Sequence, residues 1–393
     1  MLGPKGETKY IFDAKNRLSR QTDPVAGTFE WTYNALDRRM TLKYPNNLTT
    51  YYDYDNAYRL KSLITKNTQG DIIDGYSYLM DAVGNRTSMT SLRDNQVTSY
   101  EYDDTYRLTK ATYPWANYEI FDYFPDGNRK SLTDKDGITN YTYDDANRLL
   151  NEVRGTTTTN YTWDNAGNML TKADLSGTTT YEWNYDSRLI RSTVYGLPAT
   201  TYGYDPSGIR VRLTEGTTTK RFLYSNEDII AEYGGASEMY YVHGPLIDEP
   251  LAQLAGTTLS YMHRDGLGSV TAFSNAGGQL AGSNAYTSFG NVHETSGVSS
   301  RYGYTSRELD DSGLMYYRSR YYRPELGRFL NQDYYQGNEL VSPSLHRYTY
   351  THNNPISYSD PFGEFIQYGF SEKDAVYLYV IFFMVYYIAV GLT

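Results

Sequence analysis

The 393-residue sequence contains no cysteine, which excludes disulfide bonds, thiol catalysis and zinc sites with cysteine ligands. It has only five histidines, and none lies in an HExxH or HxH pattern, so we do not expect a histidine-rich metal centre. Basic residues are also outnumbered, because 36 Lys and Arg against 46 Asp and Glu give a formal net charge of −10. That balance argues against nucleic-acid binding, since neutralising phosphates requires a basic face.

Common catalytic and export signatures are missing as well. The chain has no GxSxG elbow, no GxxxxGKS/T loop and no EF-hand loop, so we expect neither a cofactor nor a bound metal. Its first residues, Met1–Glu7, lack the apolar run of a secretory signal. If the protein is exported, we expect another export route or an N-terminal segment outside this sequence.

What the chain does have is tyrosine, 45 of 393 residues, arranged in a repeat of about twenty residues. The repeated phrase is an alternating aromatic pair, an Asp or Asn, a polar turn, and then Arg with an apolar residue. One copy runs from Tyr100 to Leu108. Eleven copies in near-regular register are centred on Phe12, Tyr33, Tyr54, Tyr78, Tyr102, Phe124, Tyr143, Trp163, Trp183, Tyr204 and Tyr224.

Each repeat unit predicts a β-hairpin. Aromatic residues at i and i+2 lie on one face of a strand, and Asn, Asp and Gly then supply the turn. A lone hairpin is marginally stable in water, so neighbouring hairpins must pair edge to edge. The repeat therefore predicts an all-β fold in which antiparallel hairpins form one long sheet. An alternative interpretation gives the aromatic rings a direct role in binding sugars.

The C-terminal third carries more specific motifs in a fixed order. They are Tyr261–Val270 (YMHRDGLGSV), Tyr286–Asn291 (YTSFGN), Tyr302–Thr305 (YGYT), Gly313–Tyr322 (GLMYYRSRYY), Leu326–Asp333 (LGRFLNQD), Asn353–Pro355 (NNP) and Asp360–Gly363 (DPFG). Together with the repeats, these motifs resemble the YD-repeat, or Rhs, family and its Rhs-associated core. The chain is also similar to the toxin-carrying subunits of insecticidal Tc complexes and, more distantly, to the shell of teneurins.

The resemblance implies a curved strip of hairpins that spirals into a hollow shell, complete or partial, around a variable C-terminal polypeptide that is commonly a toxin. It implies three regions: the strip over 1–240, a core that plugs one end over 241–363, and a variable tail over 364–393. Eleven repeats are few for a closed shell, and the first repeat starts with no segment to cover the sheet edge. We therefore expect a C-terminal fragment, a truncated product, or a partner of another shell-forming chain.

Three functions are consistent with this resemblance. The first is a secreted or cell-surface shell protein of bacterial toxin delivery or competition, which encloses or presents its own tail. Its partners would be a shell-forming or delivery protein and an immunity protein, with no nucleic acid. The second is a self-cleaving protein of the aspartic type. The third is a carbohydrate-binding repeat protein of the cell surface.

The self-cleavage hypothesis names specific residues. In self-cleaving relatives an Arg and two Asp near the end of the core form an aspartic-protease-like site, and the matching positions are Arg320, Asp333 and Asp360. Such a pair shares one proton, so that the ionised carboxylate activates water while the protonated one polarises the scissile carbonyl. Arg320 would stabilise or orient the charged carboxylate. The cut would fall near Gly363–Glu364, which releases the tail.

Two departures from the family pattern bear on this site. Relatives usually carry Leu where this chain has Glu364, and a third carboxylate there would disfavour ionisation of the pair. Relatives also usually have Pro at the position of Tyr334. The alternative is that Asp333 and Asp360 are only turn and cap residues of a plug domain.

The tail itself is short and apolar. Ser371–Asp374 resembles a helix start, and Ala375–Leu392 follows as an unbroken run without a charge. This segment is therefore predicted to be helical and is a candidate for membrane contact. Burial inside the shell and a truncation artefact are the alternatives. The whole segment after Gly363 is too short for an enzymatic toxin domain.

Overall fold

The computed structural model describes residues 2–338, 342–364 and 367–368, which are almost entirely β-strand and turn. Three short 3-10 helices are present in these residues, at Tyr304–Ser306, Ser342–Leu345 and Thr351–Asn353. The strands, numbered in chain order, are β1 Leu2–Gly3, β2 Gly6–Glu7, β3 Lys9–Phe12, β4 Leu18–Asp23, β5 Gly27–Tyr33, β6 Arg39–Lys43, β7 Thr49–Tyr54, β8 Leu60–Lys66, β9 Ile72–Met80, β10 Arg86–Ser91, β11 Val97–Tyr102, β12 Leu108–Tyr113, β13 Asn117–Tyr123, β14 Arg129–Asp134, β15 Gly137–Tyr143, β16 Leu149–Arg154, β17 Thr157–Trp163, β18 Met169–Asp174, β19 Gly177–Trp183, β20 Leu189–Thr193, β21 Thr200–Tyr204, β22 Arg210–Glu215, β23 Thr218–Ser225, β24 Asp228–Tyr233, β25 Met239–His243, β26 Pro250–Ala255, β27 Thr258–Arg264, β28 Val270–Asn275, β29 Leu280–Tyr286, β30 Val292–Gly297, β31 Glu308–Leu309, β32 Met315–Tyr317, β33 Arg320–Arg323, β34 Arg328–Phe329, β35 Tyr358–Ser359 and β36 Gln367–Tyr368.

One antiparallel sheet of 28 strands, β3 to β30, dominates the molecule, and each strand in it pairs with its neighbours in sequence. Within the described residues β3 pairs only with β4 and β30 only with β29, so the sheet is an open strip. The all-β prediction of one long hairpin sheet is confirmed. Nearest-neighbour pairing throughout is what hairpin repeats with short turns produce.

The Asp and Arg of the repeat form a fixed set of contacts at one edge of the strip. In the turn after β11, Asp103 Oδ1 accepts the backbone N–H groups of Thr105 and Arg107 at 2.9 and 3.0 Å. Its Oδ2 accepts Arg107 Nε at 2.6 Å, and Arg107 Nη1 donates to the Phe124 carbonyl of the next turn at 3.0 Å. The same pattern recurs at Asp13 with Arg17, Asp55 with Arg59 and Asp144 with Arg148. In these copies, the repeated Arg therefore joins its own turn to the next turn by hydrogen bonds.

The aromatic pair forms a second ladder, on the inner face. In β15, Thr139 and Tyr141 are buried while the residues between and beside them are exposed, as a strand with one buried face requires. The second aromatic, Tyr143, donates its hydroxyl to the Arg129 carbonyl in the preceding hairpin at 2.9 Å. Equivalent bonds to the preceding hairpin, of 2.7 to 3.0 Å, are made by Tyr33, Tyr54, Tyr102, Tyr123, Trp163, Trp183, Tyr204 and Tyr224.

Two of the eleven predicted repeat centres are wrong. The residue before the turn is Met80 in the copy predicted at Tyr78, because β9 extends to Met80 and Asp81 starts the turn. In the copy predicted at Phe124, the aromatic that bonds the preceding hairpin is Tyr123, and Phe124 is itself the first turn residue. Aromatic residues close to the true centre caused both shifts.

The strip bends until its early strands contact its late strands. Arg39, at the start of β6, forms a fully buried ion pair with Glu249 at 2.5 Å, and Arg264 binds the same carboxylate at 2.6 Å. Tyr44 donates its hydroxyl to the Met262 carbonyl at 3.1 Å, and one apolar cluster joins residues of β5 to β9 with residues of β25 to β27. These contacts confirm that the sheet is curved.

Residues after β30 fold against the turn edge of the strip. Strands β31 to β34 form a separate four-stranded antiparallel sheet. This sheet and its flanking loops bind turns of the strip: Asn354 donates to the Tyr106 carbonyl at 2.9 Å, Arg328 to the Asn147 carbonyl at 2.6 Å, and Tyr348 to the Gly167 carbonyl at 3.1 Å. This C-terminal region, residues 302–364, therefore covers one edge of the coiled strip.

The long sheet continues to Gly297, and the separate sheet starts at Glu308. The predicted region boundaries at 240 and 363 stay predictions. The apolar segment Ala375–Leu392 lies outside the described residues. Among the residues that are described, no helix has the length and apolar character needed to cross a membrane.

Candidate functional site

The three residues predicted for self-cleavage come from three different elements of the C-terminal region. Arg320 opens β33, Asp333 follows β34, and Asp360 directly follows β35. The guanidinium of Arg320 lies over the ring of Phe329, with its central carbon 3.6 Å from the ring centroid. This packing, together with the pairing of β33 and β34, points the guanidinium at the two aspartates.

Arg320 joins the two carboxylates. Its Nη2 is 2.8 Å from Asp333 Oδ2 and 3.0 Å from Asp360 Oδ2, so one nitrogen serves both groups. All three side chains are buried. Burial makes such charge-assisted bonds stronger, and it makes an unpaired charge costly. The structure therefore brings the three predicted residues together, and their catalytic role stays a prediction.

Burial also sets the protonation of the pair. It raises the pKa of Asp333 to about 6, a rise to which the carboxylates of Asp360 and Glu364 add and which Arg320 opposes. The pKa of Glu364 is raised as well, first by burial and then by Asp360. Three carboxyl groups thus face one guanidinium, and a proton is retained among them near pH 6.

The predicted scissile peptide lies in this site. Arg320 Nε donates to the carbonyl oxygen of Gly363, and the backbone N–H of Glu364 donates to Asp360 Oδ1 at 3.0 Å. Both sides of the Gly363–Glu364 bond therefore contact the arginine–aspartate cluster. Sequence reasoning gave Arg320 contact only with the carboxylates and missed its contact with the carbonyl.

Only glycine fits at position 363. Its φ is +70°, a conformation that side-chain-bearing residues rarely adopt, and a Cβ there would lie 2.4 Å from the Tyr317 carbonyl oxygen. The backbone of the Asp-Pro-Phe-Gly turn can consequently approach the hairpin of β32 and β33 closely.

A cavity of about 220 Å³ adjoins the cluster. Its lining includes Arg320, both aspartates, Glu364, His346 and His352. Burial lowers the pKa of His346 to about 3 and that of His352 to about 4, so both rings are neutral at ordinary pH. His346 is held by Asn128, whose Oδ1 lies 2.8 Å from its Nε2. The cavity offers space for water beside the carboxylates.

Other predicted features lie away from this cluster. Tyr334, which replaces the usual proline, is exposed and donates its hydroxyl to the Asp186 carbonyl. Within the motif Tyr261–Val270, residues 266–269 form a turn in which Asp265 accepts the backbone N–H groups of Leu267 and Ser269. Within the described residues, no group of three or more His, Asp or Glu could hold a metal ion.

Family models match most of the chain. The Teneurin YD-shell model matches residues 76–356, and the RHS Repeat model matches residues 12–49. Among curated proteins, the tRNA3(Ser)-specific nuclease WapA of Bacillus spizizenii is 27% identical over 319 residues, which are 78% of this chain and 12% of that protein. The toxin subunit YenC1 of Yersinia entomophaga is 28% identical over 202 residues, which are 44% of this chain and 20% of that protein.

Solved structures show the same fold. A crystal structure of TcdB2-TccC3-Cdc42 aligns with a TM-score of 0.69 at 20% identity, over 91% of this chain and 21% of that chain. A Photorhabdus luminescens Tc holotoxin pore with a mutated TccC3 aligns with a TM-score of 0.61 at 19% identity, again over 91% of this chain and 21% of that chain. The chain therefore spans about a fifth or less of the relatives named here.

Proposed function

The chain belongs to the Teneurin YD-shell family of RHS-repeat proteins and is a toxin-related shell protein, and from that premise we propose that it presents its own C-terminal tail and cleaves it off after Gly363. The observation that carries the proposal is the position of Arg320. One guanidinium binds Asp333, Asp360 and the carbonyl oxygen of the predicted scissile bond.

The proposed reaction is hydrolysis of one peptide bond. An ionised aspartate takes a proton from a water in the adjoining cavity, and the water oxygen attacks the Gly363 carbonyl carbon. Arg320 Nε binds the oxygen on which negative charge develops. The Gly363–Glu364 bond then breaks, and the Glu364 nitrogen receives the proton that the aspartate pair shares, through Asp360, which it already contacts. The proton taken from water restores the protonation of the pair. One water is consumed, leaving a carboxyl group on Gly363 and an amine on Glu364.

Denaturing intact-mass measurement of the full chain tests this proposal. We expect a species lighter than 45.0 kDa by about 3.5 kDa, the mass of the segment after Gly363. Asp333→Asn should stay intact, because it removes an ionisable carboxyl from the pair. Asp311→Asn, in an exposed turn of the same region, should cleave like the wild type. A wild-type chain that stays at full mass between pH 5 and 7 would refute self-cleavage.

A shell-forming partner is proposed on a separate observation. Strand β3 has one unpaired edge within the described residues, and its Tyr10, Ile11 and Phe12 are exposed. An unpaired strand with apolar side chains is a template for adding another strand. We expect the outward amides of β3 to exchange hydrogen rapidly in this chain alone and slowly in an assembly with a YD-repeat partner. Equal exchange in both would exclude pairing at this edge.

Export, enclosure of the tail and an immunity partner stay predictions, as does the carbohydrate-binding alternative. The inner-face aromatics of the repeats, such as Tyr141, Tyr161 and Tyr181, are buried in the apolar core. Their burial favours a structural role over stacking on a surface glycan.

A further inference from the structure

The tip of the hairpin formed by β32 and β33 touches the predicted cleavage position. Tyr317 pairs with Arg320 in this hairpin, so Arg318 and Ser319 form its two-residue turn. Arg318 has a φ of 59°, as the first position of a tight hairpin turn requires, and Asp248 anchors it through Nη2 at 2.8 Å. The turn is therefore fixed in both backbone and side chain.

Three consecutive tip residues donate to three consecutive carbonyls. Arg318 Nη1 donates to the Pro361 carbonyl, the backbone N–H of Ser319 to the Phe362 carbonyl at 3.2 Å, and Arg320 Nε to the Gly363 carbonyl. We refer to this contact between residues 318–320 and 361–363 as the carbonyl clamp. It holds the peptide on the N-terminal side of the predicted cut in one conformation.

The Ser319 hydroxyl contacts two carbonyl oxygens of the carbonyl clamp. Its Oγ lies 2.8 Å from the carbonyl oxygens of both Phe362 and Gly363. A hydroxyl has one proton, so it can donate fully to only one of these oxygens at a time. The Phe362 carbonyl already accepts the Ser319 backbone N–H, and it does not depend on the hydroxyl.

We propose that Ser319 is a catalytic residue of the self-cleavage reaction, whose hydroxyl completes an oxyanion site with Arg320 at the Gly363 carbonyl oxygen. This inference rests on the proposed function. As water adds to the carbonyl carbon, negative charge grows on the Gly363 oxygen, and the hydroxyl proton turns from Phe362 towards it. The bond thus strengthens in the transition state, which is the condition for an interaction to accelerate a reaction.

The experiment compares cleavage rates of the full chain by denaturing intact-mass measurement over time. Ser319→Ala should cleave about 100-fold more slowly, the usual effect of losing one oxyanion donor. Ser319→Thr, which keeps the hydroxyl, should cleave within about tenfold of the wild type. The matched control is Ser312→Ala, which removes a hydroxyl that binds Tyr202 at 3.3 Å in the same region. It should cleave at the wild-type rate.

Two further readouts separate catalysis from structure. Because the aspartates are unchanged, Ser319→Ala should keep the wild-type pH midpoint of cleavage and the wild-type melting temperature. A Ser319→Ala variant that cleaves at the wild-type rate would overturn this inference and leave the proposed function intact. A slow variant with a lowered melting temperature or a shifted midpoint would also overturn it, because the hydroxyl would then be structural. A wild-type chain that never cleaves would overturn both.

Discussion

At the scale of single residues, Glu364 is the unusual group of the candidate site. It adds a third, half-buried carboxyl beside Asp333 and Asp360. Arg320 forms an ion pair with each of the two aspartates. Repulsion from Glu364 is one cause of the raised pKa of Asp333, after burial and Asp360. The residue after the scissile bond therefore helps to determine the pH at which the pair holds its proton.

Replacing Glu364 should move the pH dependence of self-cleavage. In the wild type, the rate should fall as pH rises through about 6, because Asp333 then loses the proton that the pair shares. Glu364→Gln removes a charge that raises this pKa, so the midpoint should shift to lower pH. The measurement is the cleavage rate constant by intact mass at half-unit steps from pH 4 to 8. Glu294→Gln, an exposed carboxyl on β30, is the control.

An unchanged midpoint would show that Glu364 does not act on the pair, and a shift to higher pH would show that Glu364 does not raise the pKa of Asp333. The cleavage test of Asp333→Asn is independent of this result, since it asks only whether the pair is required.

The two aspartates could be predicted from sequence because each lies in a motif of fixed order. The hydroxyl that donates to the carbonyl of the predicted scissile bond could not be predicted in this way. Ser319 lies in the motif GLMYYRSRYY with nothing to distinguish it from other turn serines. Its role depends on the hairpin tip meeting residues 361–363, which are distant in the chain. Such a contact follows from the packing of two elements, and periodicity carries no information about it.

At the scale of elements, the repeat is a hairpin whose two signature positions connect it to its neighbours. Tyrosine at i and i+2 predicts the buried face correctly. The sequence does not predict that the second aromatic binds the preceding hairpin and the Arg binds the following turn. Both contacts join one hairpin to another. The Arg of the phrase lies four positions after the Asp, so that its side chain can bind that Asp across their shared turn. The same guanidinium also donates to a backbone carbonyl of the next turn.

Removing one of these arginines should weaken the strip measurably. Arg107→Ala loses a charge-assisted bond to Asp103 and the bond to the Phe124 carbonyl, so we expect the free energy of unfolding to fall by about 1–2 kcal/mol. Lys110→Ala removes an exposed ion pair with Glu101 and should cost less than about 0.5 kcal/mol. Urea unfolding followed by tryptophan fluorescence measures both. Equal losses would mean that Arg107 is only a surface charge.

At the scale of the whole molecule, curvature brings together residues from the two ends of the strip. Arg39 forms an ion pair with Glu249, and Tyr44 donates a hydrogen bond to the Met262 carbonyl. The ring centroids of Tyr44 and His263 lie 4.9 Å apart. Repeat periodicity predicts a strip, but it cannot predict where the strip meets itself, because that depends on the summed twist of many hairpins. The buried polar groups at this contact are consequently invisible to sequence reasoning.

His263 makes this long-range contact sensitive to acid. Its ring is buried, its Nε2 lies 2.8 Å from Ser274 Oγ, and burial lowers its pKa to about 3. In the unfolded chain the pKa returns to about 6.5, so below that pH the unfolded state binds the proton and the folded state does not. The stability associated with neutral His263 is thus complete above about pH 6.5 and is lost as pH falls towards 3.

A His263→Gln variant tests this acid sensitivity. Gln keeps a hydrogen-bonding group but does not titrate, so between pH 7 and 4 the variant should lose about 3 kcal/mol less free energy of unfolding than the wild type. The comparison cancels the opposite effect of Asp74 and Asp310, whose pKa values burial raises to about 6. Urea titrations at each pH give the values. His293→Gln, an exposed ring on β30, should follow the wild-type curve, and identical curves for all three chains would exclude His263 as a source of acid sensitivity.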